Sequence, residues 1–205
     1  MKILDSSEKS IQEAAAFLKK GGIVIHPTET CYGIACDLTN LDAVKRMFLV
    51  KNRPMYQPVS ALFPSLEASQ EYVIWSQRAL EIGKKYLPGP LTVILSVVPH
   101  HQHDLFPRVD GSLEEMTLGI RISSHPIAMK LSELARIPIS TTSANVHGRA
   151  EPYSVEDLLS QFSEEALEPV WMLNSGVLPS AKPSTIVSIK GDSMTLVREG
   201  DVCLE

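Results

Sequence analysis

The sequence has little of what marks secreted or membrane proteins. Its 205 residues contain three cysteines, Cys31, Cys36 and Cys203, and such a sparse, odd set argues against a disulfide framework. The longest apolar runs, near residues 23–25 and 91–98, are far shorter than the roughly 20 residues that cross a bilayer. The first ten residues have no apolar core, so we do not expect them to act as a signal peptide. We therefore predict a cytoplasmic protein with no membrane contact.

The sequence also lacks a positive charge excess and the common motifs of catalysis. Its net charge is −5, which disfavours nonspecific binding to nucleic acid. It has no P-loop, no glycine-rich dinucleotide fingerprint, no nucleophile elbow and no HExxH zinc motif. Cys31 and Cys36 lack zinc-ligand spacing, and the HHQH tract at 100–103 has no carboxylates at fixed spacing, so we predict no protein-held metal. Any nucleotide would have to bind by an uncommon route.

Strand and helix patterns alternate along most of the chain. Apolar residues at helical spacing or capping residues predict helices from about residue 10, at 41–50, 65–72, 76–87 and 126–135, and from residue 154. Apolar and β-branched runs predict strands at 23–25, 59–63, 91–98, 117–122, 137–140, 170–173, 185–189 and 194–197. We predict one α/β domain over residues 1–205, with a twisted, open, mixed parallel and antiparallel sheet flanked by helices. Residues 99–115 read as a long polar loop, either functional or mobile.

Two polar segments in the first third of the chain carry groups that suit a small anionic or polar ligand. Residues 27–33 read PTETCYG, with two hydroxyls and a carboxylate beside Gly33, which permits close backbone approach. The same loop could be a polar turn capped by Thr28. Lys51 and Arg53 stand in KNRP at a predicted helix end, where they balance the helix dipole or clamp a phosphate.

Two later segments carry similar signals. Thr117 and Arg121 alternate onto one face of a predicted strand, with Gly119 between them. An arginine on the interior side of a buried strand needs an anion, either a protein carboxylate or a ligand, and we favour a ligand. Residues 140–145 read STTSAN, in which five of six side chains are hydroxyls or an amide. Such a segment forms an elaborate cap or, more often, cradles phosphates or a ribose.

Seven short segments stand in the order found in the YrdC/Sua5 family, which the chain resembles from about residue 21 to residue 200. They are PTETCYG, KNRP, PGPLTVIL, GIRISSHP, STTSAN, PSTIV and VREG. Each is weak alone, but seven in order are highly specific. The resemblance implies a YrdC-like fold around a deep basic groove. It also implies the short form, without the extra C-terminal domain of the long Sua5 form.

The same resemblance implies an ATP-dependent L-threonylcarbamoyladenylate synthase. Threonine and bicarbonate form a carbamate, whose oxygen attacks the α-phosphate of ATP while pyrophosphate leaves. Mg²⁺ would be held mainly by the phosphates. Other proteins, the tRNA threonylcarbamoyl-transferase machinery, then move the threonylcarbamoyl group to adenosine 37 of tRNAs. No side-chain nucleophile is needed, which fits the absence of a catalytic triad.

The resemblance also assigns roles by position. Threonine-binding positions of the family are matched by Thr30, Arg121, Thr141 and Ser184. Nucleotide-contacting positions are matched by Lys51, Arg53, Thr117, Ser143, Asn145 and Arg198. Of these, Lys51 and Arg53 match the phosphate clamp and are the implied catalytic residues.

Three positions depart from the family pattern. Gln57 stands where members often have Lys or Asn, Leu62 where long-form members can carry His near threonine, and Asn174 where many have Asp. These changes are compatible with substrate binding and leave the level of synthase activity open. Two alternatives remain: a module whose groove binds tRNA or double-stranded RNA, and a YciO-like nucleotide-binding protein without full synthase activity.

Overall fold

The computed structural model describes residues 1–55, 57–101, 105, 116–162 and 170–204. Most of the predicted loop 99–115, and part of the histidine tract, lie outside these ranges. The strands are β1 Lys2–Leu4, β2 Ile23–Pro27, β3 Tyr32–Ala35, β4 Ser60–Leu62, β5 Leu91–Ser96, β6 Thr117–Arg121, β7 Ile139–Ser143, β8 Val170–Leu173, β9 Thr185–Lys190 and β10 Ser193–Arg198. The helices are α1 Glu8–Lys19, α2 Leu41–Val50, α3 Leu66–Gln70, α4 Gln77–Tyr86, α5 Pro126–Ala135 and α6 Val155–Leu159.

All ten strands join one open sheet in the order β1-β8-β2-β3-β7-β4-β6-β5-β9-β10. The pairs β1–β8, β2–β8, β4–β6 and β5–β9 are parallel, and the other pairs are antiparallel. The predicted mixed sheet flanked by helices is therefore confirmed. In the part of the chain that is described, no helix is long and apolar enough to cross a membrane.

Helices cover both faces of the sheet. On one face, α1 packs against α5, and Leu18 and Leu131 are fully buried together with Val24, Ala35 and Leu62 of the strands. On the other face, a larger core joins side chains of α2 and α4 to alternate residues of the same strands. Complete burial of a leucine contributes roughly 1.5–3 kcal/mol to stability.

Four elements differ from the prediction. Helix α1 is capped by Ser7, whose side chain accepts from the N–H of Ser10, so the helix begins at Glu8 rather than at about residue 10. Strands β1 and β3 were not predicted, because three or four residues are too few to show a period of two. Strand β7 runs through Ser143, so most of STTSAN is strand rather than loop. Thr141, Thr142 and Ser143 of this strand line a cavity. The segment therefore lacks the run of apolar residues by which a buried strand is predicted from sequence.

Candidate functional site

A cavity of about 290 Å³ opens on the sheet face that α1 and α5 leave partly uncovered. Alternation along β3 and β4 puts Gly33 and Ser60 on the face that carries Ala35 and Leu62, and Arg121 is the register partner of Leu62. Strand residues in the lining are Gly33, Ser60, Thr92, Arg121, Thr141, Thr142, Ser143 and Ile186. Residues from the connecting segments complete it: Thr28, Thr30, Cys31, Arg53, Gln57, Pro58, Val59, His147, Glu151, Pro183 and Ser184, with Arg198 at the end of β10.

The close packing of Ser60 and Thr92, which form the floor of the cavity, requires a glycine at position 119. A Cβ at Gly119 would lie 2.6 Å from Ser60 Oγ and 3.2 Å from Thr92 Cγ2. Strands β4, β6 and β5 are neighbours, so any larger side chain at this position would push both floor residues aside. The cavity space beside Arg121 is therefore open because Gly119, two residues earlier in β6, has no side chain.

Arg53 enters the cavity from the turn that follows α2. Its Nε donates to Gln57 Oε1 at 3.0 Å, Nη1 donates to Thr142 Oγ1 at 3.1 Å, and Nη2 donates to the Pro58 carbonyl at 2.6 Å. Burial lowers the pKa of this guanidinium, but an arginine stays protonated at neutral pH. Its hydrogen-bond partners among the described residues are all uncharged, so its positive charge is fixed in place and not neutralised.

Lys51 lies behind the cavity lining and is only 2% exposed. Its Nζ donates to the Ser143 carbonyl, to the Asn145 carbonyl at 2.7 Å and to Asn145 Oδ1 at 3.4 Å. Burial, together with the nearby Arg53, lowers the pKa of Lys51 to about 7. Ser143 Oγ also donates to Asn145 Oδ1 at 2.5 Å. The ammonium thus holds the end of β7 in the shape that presents Ser143 to the cavity.

Arg121 is paired with a protein carboxylate, the alternative that was not favoured from the sequence, and it also lines the cavity. Its Nη2 donates to Glu29 Oε1, and Ser123 Oγ donates to the other oxygen of the same carboxylate. Both partners of the ion pair are nearly buried, with side-chain exposures of 9% and 14%. Arg121 also lines the cavity, and its Nε is buried without a partner among the described residues. The protein carboxylate is Glu29, within PTETCYG, and it was missed as the partner because no local spacing links it to Arg121.

The segment between β2 and β3 is a tight polar turn that also forms cavity wall. Thr28 Oγ1 donates to the Cys31 carbonyl at 2.6 Å and lies 3.0 Å from Thr30 Oγ1. The predicted turn capped by Thr28 is therefore present, and the same turn contributes Thr28, Thr30 and Cys31 to the cavity lining. Cys31 lies in the wall, and burial raises the pKa of its thiol to about 12.

The opposite wall is built by the chain around β9 and β10. Arg198 donates from Nε to the Ser184 carbonyl at 2.9 Å and from Nη2 to Ser184 Oγ at 3.0 Å. Ser184 Oγ is 2.9 Å from Thr92 Oγ1 on the floor. Burial lowers the pKa of Arg198 below its ordinary value. Like Arg53, Arg198 is hydrogen-bonded to neutral groups in the part of the chain that is described.

Seven of the ten residues assigned from the sequence line this one cavity: Thr30, Arg53, Arg121, Thr141, Ser143, Ser184 and Arg198. Lys51 and Asn145 lie directly behind it, because the Lys51 ammonium is drawn to backbone carbonyls. Thr117 is exposed at the start of β6, pairs with Ser96 and lies outside the lining.

The three departures from the family pattern have different surroundings. Gln57 lines the cavity and holds Arg53. Leu62 is fully buried in the core beneath α5 and does not line the cavity. Asn174 forms a turn in which its Oδ1 accepts from Gly176 N at 2.9 Å, beside the Tyr32 hydroxyl. Asn174 therefore stabilises a turn outside the cavity lining, and only Gln57 has direct access to a ligand.

The protein is thus an α/β protein with an open mixed sheet and a polar cavity lined by three arginines. The model of the Sua5/YciO/YrdC family, described as "Telomere recombination", matches residues 16–200. The chain belongs to this family, and the resemblance inferred from seven short segments is confirmed.

Relatives with names and structures agree with this assignment. A protein of Pyrococcus abyssi named threonylcarbamoyl-AMP synthase is 33% identical over 97% of this chain, which spans 56% of that relative. The crystal structure of P. abyssi Sua5 complexed with L-threonine matches with a TM-score of 0.83 and 30% identity, covering 97% of this chain and 56% of the other. The crystal structure of E. coli YciO matches with a TM-score of 0.76 and 25% identity. The match covers 98% of this chain and 94% of the YciO chain.

Proposed function

We propose that this protein is an ATP-dependent L-threonylcarbamoyladenylate synthase, which uses L-threonine, bicarbonate and ATP. The observation that carries the proposal is the convergence of Arg53, Arg121 and Arg198 with hydroxyl donors in one cavity. Guanidinium groups recognise carboxylate and phosphate oxygens through paired hydrogen bonds. Family membership and the names of the relatives support the same reaction.

The charge pattern suggests where each substrate binds. Arg53 and Arg198 have only neutral hydrogen-bond partners among the described residues, so the most negative ligand, the triphosphate, is attracted to them. Arg121 is already paired with Glu29, and this pairing weakens its attraction for a second highly charged group. A single carboxylate, that of threonine, suits Arg121 better. Thr30, Thr141 and Ser184 offer hydroxyls to the amino acid, and Ser143 offers one to the nucleotide.

The reaction needs fixed positive charge more than a nucleophilic side chain. When the carbamate oxygen attacks the α-phosphorus, negative charge grows on the phosphoryl oxygens and on the departing pyrophosphate. Arg53, held by three hydrogen bonds, stabilises this charge without reorganising. Lys51 acts behind it by fixing the Ser143–Asn145 backbone, which makes it a positioning residue in this proposal. Thr117 would meet only a part of the nucleotide that extends beyond the cavity.

Mg²⁺ is proposed to arrive with ATP and to be held mainly by its phosphates. Within the described ranges, no group of three or more His, Cys, Asp or Glu side chains could hold a metal ion by itself. The product is proposed to pass to the tRNA threonylcarbamoyl-transferase machinery.

Pyrophosphate release from ATP by the purified protein tests the proposal. Release should require both threonine and bicarbonate, and Arg53→Ala should abolish most of it. Release that is independent of threonine, or equal in the wild type and Arg53→Ala, would contradict the proposal.

A second candidate function, nucleotide binding without full synthase activity, is favoured by the likeness to YciO and by Gln57 in the cavity. Calorimetric titration with ATP distinguishes the two. The synthase should bind ATP more tightly when threonine is present, whereas the second candidate should bind ATP with the same affinity in both conditions.

A further inference from the structure

His147 is an imidazole in the cavity wall that none of the proposed substrate contacts uses. It is exposed, and it lines the cavity together with Arg53, Gln57 and Ser143. Of the described residues in the lining, it is the only histidine. An imidazole can offer a ligand either a hydrogen-bond donor or an acceptor, depending on which ring nitrogen carries the proton. The neighbours of His147 decide between the two.

The backbone of His147 is held against the end of helix α2. Its N–H donates to the Lys51 carbonyl at 2.8 Å, directly after the last residue of the helix. Arg149 N donates to the Val146 carbonyl at 3.0 Å, which closes a β-turn over His147 and Gly148. Gly148 has a φ of 82°, the positive value that the third residue of a type II turn needs. The imidazole is therefore presented from a fixed turn beside the end of α2.

The amide of Gln57 joins this imidazole to Arg53 and decides which ring nitrogen carries the proton. Gln57 Oε1 accepts from Arg53 Nε at 3.0 Å, and an arginine can only donate, so the orientation of the amide is fixed. Its other end, Nε2, is a donor and lies 3.4 Å from His147 Nε2. The His147 Nε2 atom therefore accepts, and the proton of the neutral ring lies on Nδ1. No described residue accepts a hydrogen bond from Nδ1, so this donor is available to a ligand.

We propose that His147 donates a hydrogen bond from Nδ1 to the phosphate chain of the nucleotide, next to Arg53. This inference rests on the proposed function and adds a binding residue to its phosphate end. Gln57 contacts both side chains, at 3.0 and 3.4 Å, so the guanidinium and the imidazole border the same part of the cavity. Gln57 is a positioning residue, because the two ends of its amide orient both groups. A neutral donor adds no positive charge beside Arg53, which already disfavours the charged form of Lys51.

Calorimetric titration with inorganic tripolyphosphate, at a constant Mg²⁺ concentration, tests this contact. The probe has no base or ribose, so its affinity reports on phosphate contacts alone. His147→Ala should bind it at least about tenfold more weakly than the wild type, because a hydrogen bond to a charged group is lost. His147→Asn should retain most of the affinity, because its amide nitrogen reaches the position of imidazole Nδ1. His147→Gln places its amide near the position of Nε2 and should bind as weakly as His147→Ala.

L-Threonine should bind the three variants as it binds the wild type, and a parallel loss of threonine affinity would overturn the inference, because the whole cavity would then be affected. His100→Ala, an exposed change outside the lining, is the matched control and should leave both affinities unaltered.

Equal tripolyphosphate affinity in the wild type and His147→Ala overturns this inference alone. Equal weakening in His147→Asn and His147→Ala also overturns it, because the Nδ1 donor would then not be the group that binds. A loss of ATP affinity without a loss of tripolyphosphate affinity has the same consequence, because His147 would then contact the nucleoside. A wild type that binds neither ATP nor tripolyphosphate contradicts the proposed function, and this inference falls with it.

Discussion

Arg53 shows how one side chain is prepared for an anionic ligand. Its three nitrogens donate to Gln57, Thr142 and Pro58, and all three acceptors are uncharged. The sequence offered Gln57 as a loss of charge relative to the family. The structure shows that its amide oxygen fixes the direction of the guanidinium instead. A lysine at position 57 could not accept this hydrogen bond.

The first prediction concerns this geometry. Arg53→Lys keeps the charge but cannot make three directed hydrogen bonds, so the charge becomes mobile. We expect pyrophosphate release to fall on the order of 10²–10³-fold, as when one preorganised contact to a transition state is lost. Arg78→Lys on α4, far from the cavity, is the control. If Arg53→Lys kept more than half of the wild-type rate, the preorganised role of Arg53 would be wrong.

The second prediction concerns the three thiols, none of which forms a disulfide. Burial raises the pKa of both Cys31 and Cys36 to about 12, whereas Cys203 is exposed. Because the thiolate is the reactive form, a thiol reagent at pH 8 should modify one thiol per molecule rapidly and the other two slowly. Cys203→Ser should remove the rapid phase. A rapid phase that persists in this variant would show that a buried thiol is accessible.

At this scale, sequence reasoning was strongest for hydroxyls and arginines next to strand ends. Residue type and neighbours singled out Arg53 and Arg121, and the family resemblance added Thr30 and Ser184; all four line the cavity. Sequence reasoning did not recognise Glu29 as the partner of Arg121. Glu29 lies on the turn between β2 and β3, and Arg121 is distant in the chain, so no local spacing reveals the pair.

At the scale of secondary-structure elements, β2 carries a buried imidazole next to the cavity floor. His26 is fully buried, its Nδ1 lies 3.2 Å from the Pro27 carbonyl, and its Nε2 has no partner among the described residues. Burial lowers the pKa of His26 from 6.5 to about 4, with smaller effects from His125, Glu29 and Arg121. The imidazole is therefore neutral in the folded protein at neutral pH.

The third prediction follows from this difference between the folded and unfolded states. The unfolded chain takes up a proton at about pH 6.5 and the folded chain only at about pH 4. The contribution of neutral His26 to the free energy of unfolding is therefore fully present above pH 6.5. It is lost as the pH falls toward 4, and the total loss is up to about 3 kcal/mol. Denaturant unfolding at several pH values should show a steeper acid loss in the wild type than in His26→Leu. His100→Leu, an exposed change, should follow the wild type. Parallel curves for the wild type and His26→Leu would contradict the prediction.

The fourth prediction concerns the close approach of β6 to β4 and β5. Gly119→Ala should cost about 1–3 kcal/mol of stability and weaken ligand binding, because the added Cβ crowds Ser60 Oγ at 2.6 Å. Ser60→Gly removes the crowding atom, so the double variant should recover much of the lost stability. Denaturant unfolding and ATP titration measure both effects. A double variant no more stable than Gly119→Ala would show that Ser60 is not the source of the strain.

Secondary-structure elements were predicted correctly where the segment was long enough, or apolar enough, for its hydrophobic pattern to be clear. Helices 41–50 and 126–135 match α2 and α5, and residues 170–173 match β8. It failed at β3, buried on both faces and only four residues long, and at β7, whose hydroxyls resemble a loop. The error at β7 lies at the cavity, where hydroxyl side chains form part of the lining, whereas β3 is a core strand too short to show a period.

At the scale of the whole molecule, the net charge is −5, yet three arginines line the cavity. Positive charge is therefore concentrated at the cavity although the protein as a whole is acidic. Long-range attraction for RNA follows the overall charge, whereas recognition of a small anion follows the lining. The RNA-binding alternative therefore has less support than a small-molecule reaction. The mixed sheet was predictable because strands and helices alternate along the chain, but the strand order required contacts between distant segments.

Identification of the product tests the central proposal most directly. The protein is incubated with ATP, Mg²⁺, L-threonine and isotopically labelled bicarbonate, and the mixture is analysed by mass spectrometry. The account predicts threonylcarbamoyl-adenylate that carries the labelled carbon, and its loss in Arg53→Ala. Hydrolysis of ATP without this product, or a product without the label, would contradict the account.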